Sequence, residues 1–144
     1  MRYWDPSAII PQVLREPSTP AVMKEVARDP SMVTWWASRV ECASALERQH
    51  REGRVTSRAW DAARIRLRLL HDRWTEVTAS EDVRQTAIRL LRTHPLRTGD
   101  ALQLAAAITA SEGRPESLTF VTLDDRLADA ASKEGFPILR PGDA

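Results

Sequence analysis

The sequence predicts an α/β protein whose mostly parallel sheet is covered by helices on both faces. Three observations predict it. Short apolar runs such as Met32-Val33-Thr34-Trp35 and Leu118–Thr122 alternate with longer segments of helical period, the pattern of strands joined by crossover helices. Those runs stay apolar at successive positions, as strands buried on both faces require. The stretch Ala101-Leu102-Gln103-Leu104-Ala105-Ala106-Ala107-Ile108 is apolar nearly all round, which places its helix at the centre of the molecule.

Each element has a local cause. Arg2 to Trp4 reads as a strand running into Asp5-Pro6-Ser7, where Asp5 as N-cap and Pro6 at the first helical position start a helix. That helix extends from about Ser7 to Arg15, with Pro11 kinking it or removing a hydrogen bond. Ser18-Thr19-Pro20 opens a second helix, stopped after Arg28 by Asp29-Pro30. Met32 to Trp35 is a buried strand. Ser38 to about Arg51 is helical and ends at Gly53. A helix from about Thr56 to Arg73 follows and forms an antiparallel pair with it. Trp74 to Val77 is a weak strand, Ser80 to Thr93 a helix, and His94-Pro95 a break. The apolar helix runs from Thr98-Gly99-Asp100 to about Glu112. Leu118 to Thr122 is a strand, Asp124 to Glu134 a helix closed by Gly135, and Phe136 to Leu139 the last strand.

Composition bounds the function. A chain of 144 residues, 42% hydrophobic and 28% charged, is one ordinary domain, 1–144, with a core of its own. One cysteine and three histidines, at positions 50, 71 and 94, exclude disulfide scaffolds and His- or Cys-based metal sites. No run approaches the ~18 apolar residues of a membrane span, and the first residues carry no long apolar stretch. A reduced, cytoplasmic protein without membrane contact is expected. The net charge of +1 argues at first against a nucleic-acid partner. Arginine nevertheless supplies 19 of the 21 basic residues, and seven of them lie between Arg51 and Arg73 against three acids, whereas from Glu112 onward seven acids face four bases. Charge is segregated along the chain.

In a parallel sheet, ligands bind beyond the C-terminal strand ends. Asp5 follows the first strand, Asp124 follows the fourth, and Asp100 starts the buried helix. Taken singly, each serves as an N-cap or first-turn acid worth about 0.5–2 kcal/mol. Glu41 lies in mid-helix between Val40 and Cys42 with Ala37 and Ala45 four residues either side, on a solvated flank or on a packed face. Taken together, the four suit one negative pocket. Carboxylates ~5 Å apart repel by roughly 3 kcal/mol per pair at an effective dielectric of about 20, so such a pocket calls for a cation. All-oxygen donors select Mg²⁺ or Mn²⁺.

Four stretches, Asp5-Pro6-Ser7-Ala8, Glu41 within Ser38–Leu46, Leu96–Ala105 around Asp100, and Val121-Thr122-Leu123-Asp124, resemble the acidic motifs of PIN domains. More narrowly they resemble the VapC toxins of type II toxin–antitoxin pairs, and the Arg97–Ala105 stretch is the most specific. The resemblance implies a three-layer α/β/α fold and an Mg²⁺- or Mn²⁺-dependent endoribonuclease. It implies Asp5, Glu41, Asp100 and Asp124 as the catalytic and metal-binding quartet, with Asp5 and Asp100 as direct ligands. Ser7 and Thr122 would orient carboxylates or water, with Asp125 a further supporting acid. In-line attack of an activated water on an RNA phosphodiester is the reaction expected, with Asp5 or Asp124 accepting the proton. RNA substrate, a small VapB-like antitoxin and a homodimeric partner copy follow from the same resemblance.

The alternatives are a catalytically silent PIN-like binding or adaptor module, which needs one of the acids lost or misplaced, and a phosphotransfer domain, which calls for Asp-x-Asp where this chain has Asp5-x-Ser7. Cys42 is expected to be packed and inert. Trp4, Trp60 and Trp74 read as core, one of Trp35 and Trp36 as exposed, and the three histidines as surface or hinge residues. The arginines of the Thr56–Arg73 helix suit a partner surface or guidance of RNA.

Overall fold

The structure is a computed structural model and describes residues 1–143. Its elements are β1 (Arg2–Trp4), α1 (Pro6–Val13), α2 (Thr19–Arg28), β2 (Met32–Trp35), α3 (Ser38–Arg51), α4 (Ser57–His71), β3 (Thr75–Val77), α5 (Glu81–Thr93), α6 (Thr98–Ala110), a 3₁₀ turn (Pro115–Ser117), β4 (Phe120–Val121), α7 (Asp125–Lys133) and β5 (Ile138–Leu139). The five strands form one sheet in the order β3-β2-β1-β4-β5. Every neighbouring pair is parallel, including both edge strands, so the sheet is wholly rather than mostly parallel.

Alternation along the strands divides the core into two layers. Tyr3, Val33 and Phe120 face a cluster built with α5, α6 and α7, while Trp4, Met32 and Val121 face one built with α1, α2, α3 and α4. This is the three-layer α/β/α arrangement. Helix α6 is as central as its composition requires, with Ala101, Leu104, Ala105, Ala106 and Ala107 all fully buried. Tyr3 stacks on Phe120 at 5.1 Å between ring centroids, which couples the two middle strands.

Several boundaries move for local reasons. α1 ends at Val13, two residues after Pro11. β4 shrinks to Phe120–Val121 because the 3₁₀ turn captures the Leu118 N–H on the Pro115 carbonyl. The pairing still extends past the strand, since the Tyr3 N–H donates to the Thr119 carbonyl and the Thr122 N–H to that of Leu139. Trp74 leaves β3, its N–H being held by the Leu70 carbonyl at the end of α4.

One packing expectation is corrected. Trp60 is half-buried and not a core residue: it stacks on His50 at 4.2 Å and its Nε1 donates to Glu47. His94, at the break that ends α5, is buried, and Glu134 of the α7 C-cap reaches its Nε2 at 2.7 Å. Trp35 is buried and Trp36 is 57% exposed, and Cys42 is buried. α4 turns Ala63 and Leu67 inward and leaves Ile65 and Leu69 about half exposed. No helix among the described residues is long and apolar enough to cross a membrane.

Because Leu104 is fully buried while Ile65 is 52% exposed, Leu104→Ala is expected to cost about 2–5 kcal/mol. Ile65→Ala is expected to cost no more than ~0.5 kcal/mol. Urea unfolding followed by circular dichroism measures both.

Candidate active site

β1 and β4 end side by side, and the turn after each carries an acid. Asp5 caps α1, its Oδ2 accepting the Ser7 N–H at 3.2 Å. Asp124 caps α7, its Oδ1 accepting the Leu127 N–H at 2.8 Å. Each acid therefore fills the capping role expected of it singly, and the two ends are then tied together by hydroxyls. Ser7 Oγ donates to Asp5 Oδ1 at 2.8 Å, accepts the Leu123 N–H at 2.8 Å and lies 3.2 Å from Thr122 Oγ1. Thr122 Oγ1 in turn accepts the Asp124 N–H at 3.0 Å. Both sequence-predicted supporting hydroxyls thus sit between the two aspartates.

Glu41 arrives from α3 and Asp100 from the first turn of α6. They line the same open cleft as Asp5 and Asp124, a space of about 630 Å³ beyond the C-terminal edge of the sheet. Glu41 belongs to the packed side of its helix. The buried Gln103 donates from Nε2 to Glu41 Oε1 and to Ser38 Oγ, each at 3.0 Å. Tyr3 O–H donates to Gln103 Oε1 at 2.6 Å, which leaves the amide only one orientation that satisfies both partners. Gln103 is a cleft residue that the sequence pattern did not single out. Its signal was a lone amide in a helix otherwise apolar nearly all round, and such a group must be hydrogen-bonded when buried.

Asp125 is the one supporting candidate that does not join the cleft: it is exposed and ion-paired to Arg140. As an acid in the first turn of α7 it complements the helix dipole there. Burial also raises the Cys42 thiol, and the Glu41 and Asp5 charges raise it further, so it stays protonated and inert.

The carboxylates sense one another. Burial pushes Asp5 up to about 7, the Asp124 charge adds to this, and the hydroxyls of Thr122 and Ser7 with the Ser7 amide oppose it. Asp100 is raised by burial and then by Asp124, while Arg97 and Arg126 oppose the rise. Glu41 is raised by burial and by Asp100, against the Gln103 amide. Repulsion therefore links all four in the sequence Asp5, Asp124, Asp100, Glu41. Among the described residues no group of three or more His, Cys, Asp or Glu side chains is close enough to enclose a metal ion. The donor set still fits a hard divalent cation of the Mg²⁺ kind, which takes one or two carboxylates directly and keeps water on its other positions. An open cleft, a buried carboxylate raised by its surroundings and mutually repelling acids together mark a candidate site for a cation and for proton transfer.

Comparison with known proteins agrees with this architecture. No curated protein matches the chain. Among solved structures, a toxin–antitoxin complex from Klebsiella pneumoniae superposes with a TM-score of 0.69 at 15% identity, covering 100% of both chains. FitAcB from Neisseria gonorrhoeae gives 0.70 at 15% identity, again over 100% of both. A protein from Pyrobaculum aerophilum gives 0.66 at 19% identity over 96% of this chain and 83% of its own. The PIN domain family matches residues 3–133. With the parallel sheet, the acid-lined cleft and a family match over nearly its whole length, the chain belongs to the PIN domain family.

Proposed function

We propose that this chain, acting as one domain over 1–144, is a divalent-metal-dependent endoribonuclease and the toxin of a toxin–antitoxin pair. The observation that carries the reading is the convergence of Asp5, Glu41, Asp100 and Asp124, from four separate elements, on one open cleft. Membership of the PIN family and the likeness to a toxin–antitoxin complex from Klebsiella pneumoniae support it. The silent-adaptor reading needs an acid displaced from the cleft, and all four line it.

Asp5, Asp100, Glu41 and Asp124 would hold Mg²⁺ or Mn²⁺, with Asp5 and Asp100 as the direct ligands. A bound divalent cation supplies charge stabilisation at the phosphoryl oxygens and a more acidic water. The chain's own groups do the rest. A carboxylate oxygen of Asp5 or Asp124 accepts the proton of the attacking water. Ser7 and Thr122 hold the Asp5 and Asp124 turns in register, and Gln103 fixes the Glu41 rotamer. The concentration of negative charge also suits an antitoxin that presents a basic side chain to the cleft. The half-exposed Ile65 and Leu69 of α4 are available to a partner surface, whether the antitoxin or a second copy of the chain. A cytoplasmic setting accompanies this reading, since its substrate and its partner are cytoplasmic.

Asp5→Asn keeps a good N-cap but removes the charge. It is expected to lower Mg²⁺-dependent cleavage of total cellular RNA at least 100-fold with an unchanged circular dichroism spectrum. Undiminished cleavage by this variant, scored by mapping cut ends with and without EDTA, would refute the assignment.

Stability carries a second signature of the same group. Asp5 lies near 7 when folded against an ordinary 3.8, so the folded chain binds this proton more tightly. Its contribution to stability is fully present below about 4 and is lost as pH rises through about 7. In EDTA, Asp5→Asn is expected to melt at a higher temperature than the parent at pH 8, with the difference closing by pH 4. Added Mg²⁺ at pH 8 should raise the melting temperature of the parent more than that of the variant.

A further inference from the structure

The cleft extends beyond its acids. One of its walls is a single stripe of α3, in which Val40, Glu41, Ser44, Ala45 and Arg48 all line the space. These positions fall at helical spacing on one face. Pro6 and Ile10 of α1 line it as well, so the space is a trough running between α1 and α3. Glu41 and Arg48 are seven residues apart, which sets them two turns and about 10 Å apart along the helix. The trough therefore carries opposite charges at its two ends.

Arg48 has no carboxylate partner among the described residues. The arginines that do form ion pairs are Arg2, Arg28, Arg54, Arg64, Arg84, Arg89 and Arg140. Arg97, the other arginine of the cleft, stands directly before α6 and acts on Asp100. Arg48 is exposed, aligned with the acids and unused by them. A guanidinium so placed is a fork for phosphate oxygens.

We propose that Arg48 forms a phosphate subsite of the cleft, holding a phosphodiester of the RNA strand a few nucleotides from the one at the acids. This assignment rests on the ribonuclease reading above and deepens it. Phosphates recur every ~3.4 Å of rise in a stacked strand and farther apart in an extended one, so about 10 Å spans at most three nucleotide steps. Ser44 adds a hydroxyl between the two ends, and Val40, Ala45 and Ile10 give the intervening bases an apolar surface. Arg48 is a positioning residue: it touches a flanking phosphate and not the reacting atoms. The subsite aligns a single strand along α3, and it disfavours substrates too short to reach it.

The test uses the full chain in the Asp5→Asn background, so that bound RNA stays intact, with a 5′-fluorescein 12-nucleotide single-stranded RNA pool read by anisotropy. Arg48→Ala is expected to weaken binding about tenfold and to lower the slope of log K against log salt by ~0.7, the value of one single-strand phosphate contact. Arg48→Lys should restore most of the slope and part of the affinity, whereas Arg92→Ala on exposed α5 should leave both at the parent values. In the catalytic background, Arg48→Ala should raise KM on the long RNA with kcat preserved, and the penalty should vanish on a dinucleotide. Unchanged affinity and slope in Arg48→Ala, or an equal loss in Arg92→Ala, would overturn the subsite. Absence of Mg²⁺-dependent cleavage by the parent alongside an intact Arg48 binding effect would instead overturn the nuclease reading and leave the subsite standing.

Discussion

A carboxylate buried at the exit of the central strand constrains the whole molecule. Asp5 is 5% exposed and its carboxyl is raised to about 7, so leaving it there unsupported would be costly. The fold answers with donors from two directions. The Ser7 amide and hydroxyl come from the first turn of α1, while Thr122 comes from the adjacent strand exit. Because Ser7 also receives the Leu123 N–H, the same hydroxyl that supports Asp5 fixes the path of the chain toward Asp124. Capping, strand pairing and site geometry are one set of hydrogen bonds.

A second network does for Glu41 what the hydroxyls do for Asp5. Burial, with the Asp5 and Glu41 charges added to it, raises the Tyr3 phenol, which keeps it a donor to Gln103. Gln103 then turns its amide toward Glu41 and Ser38. This links the face of the sheet that carries α6 to the helix α3 on the opposite face, and it does so through the interior. The net charge of +1 conceals this arrangement, in which carboxylates gather at one sheet edge while Arg48 stands at the far end of the trough and further arginines line the surface of α4. A near-neutral total is compatible with an RNA ligand because a bound divalent cation would supply positive charge that composition does not count.

Much of the site was legible because helix capping is local. Asp5 and Asp124 stand at strand-to-helix turns that any reading of N-caps finds, and Asp100 stands at a helix start. From local pattern alone Glu41 was an oddity, a glutamate flanked by small residues that only the resemblance to PIN motifs singled out, because the Gln103 that positions it lies 62 residues away. The sequence ranked Asp124 above its neighbour Asp125, which it kept as a supporting acid. The cap geometry separates them, since the N-cap acid turns into the cleft and the next one reaches outward to Arg140. Trp60 was misplaced for a related reason: an aromatic side chain goes where a partner ring and an acceptor satisfy it, and its partners, His50 and Glu47, lie on the preceding helix.

What the sequence determined by itself was the order and type of the elements and the parallel sheet, which depend on periodicity and on interactions within about four residues; the acids it offered only as candidates. What the tertiary structure decided was which of those acids share one space and how each is held. Ser7 meets Thr122 across 115 residues and Tyr3 meets Gln103 across 100, contacts that exist only after the parallel strands have paired. The register of β1 against β4 sets the separation of Asp5 and Asp124, and a local pattern carries no information about register between segments so far apart.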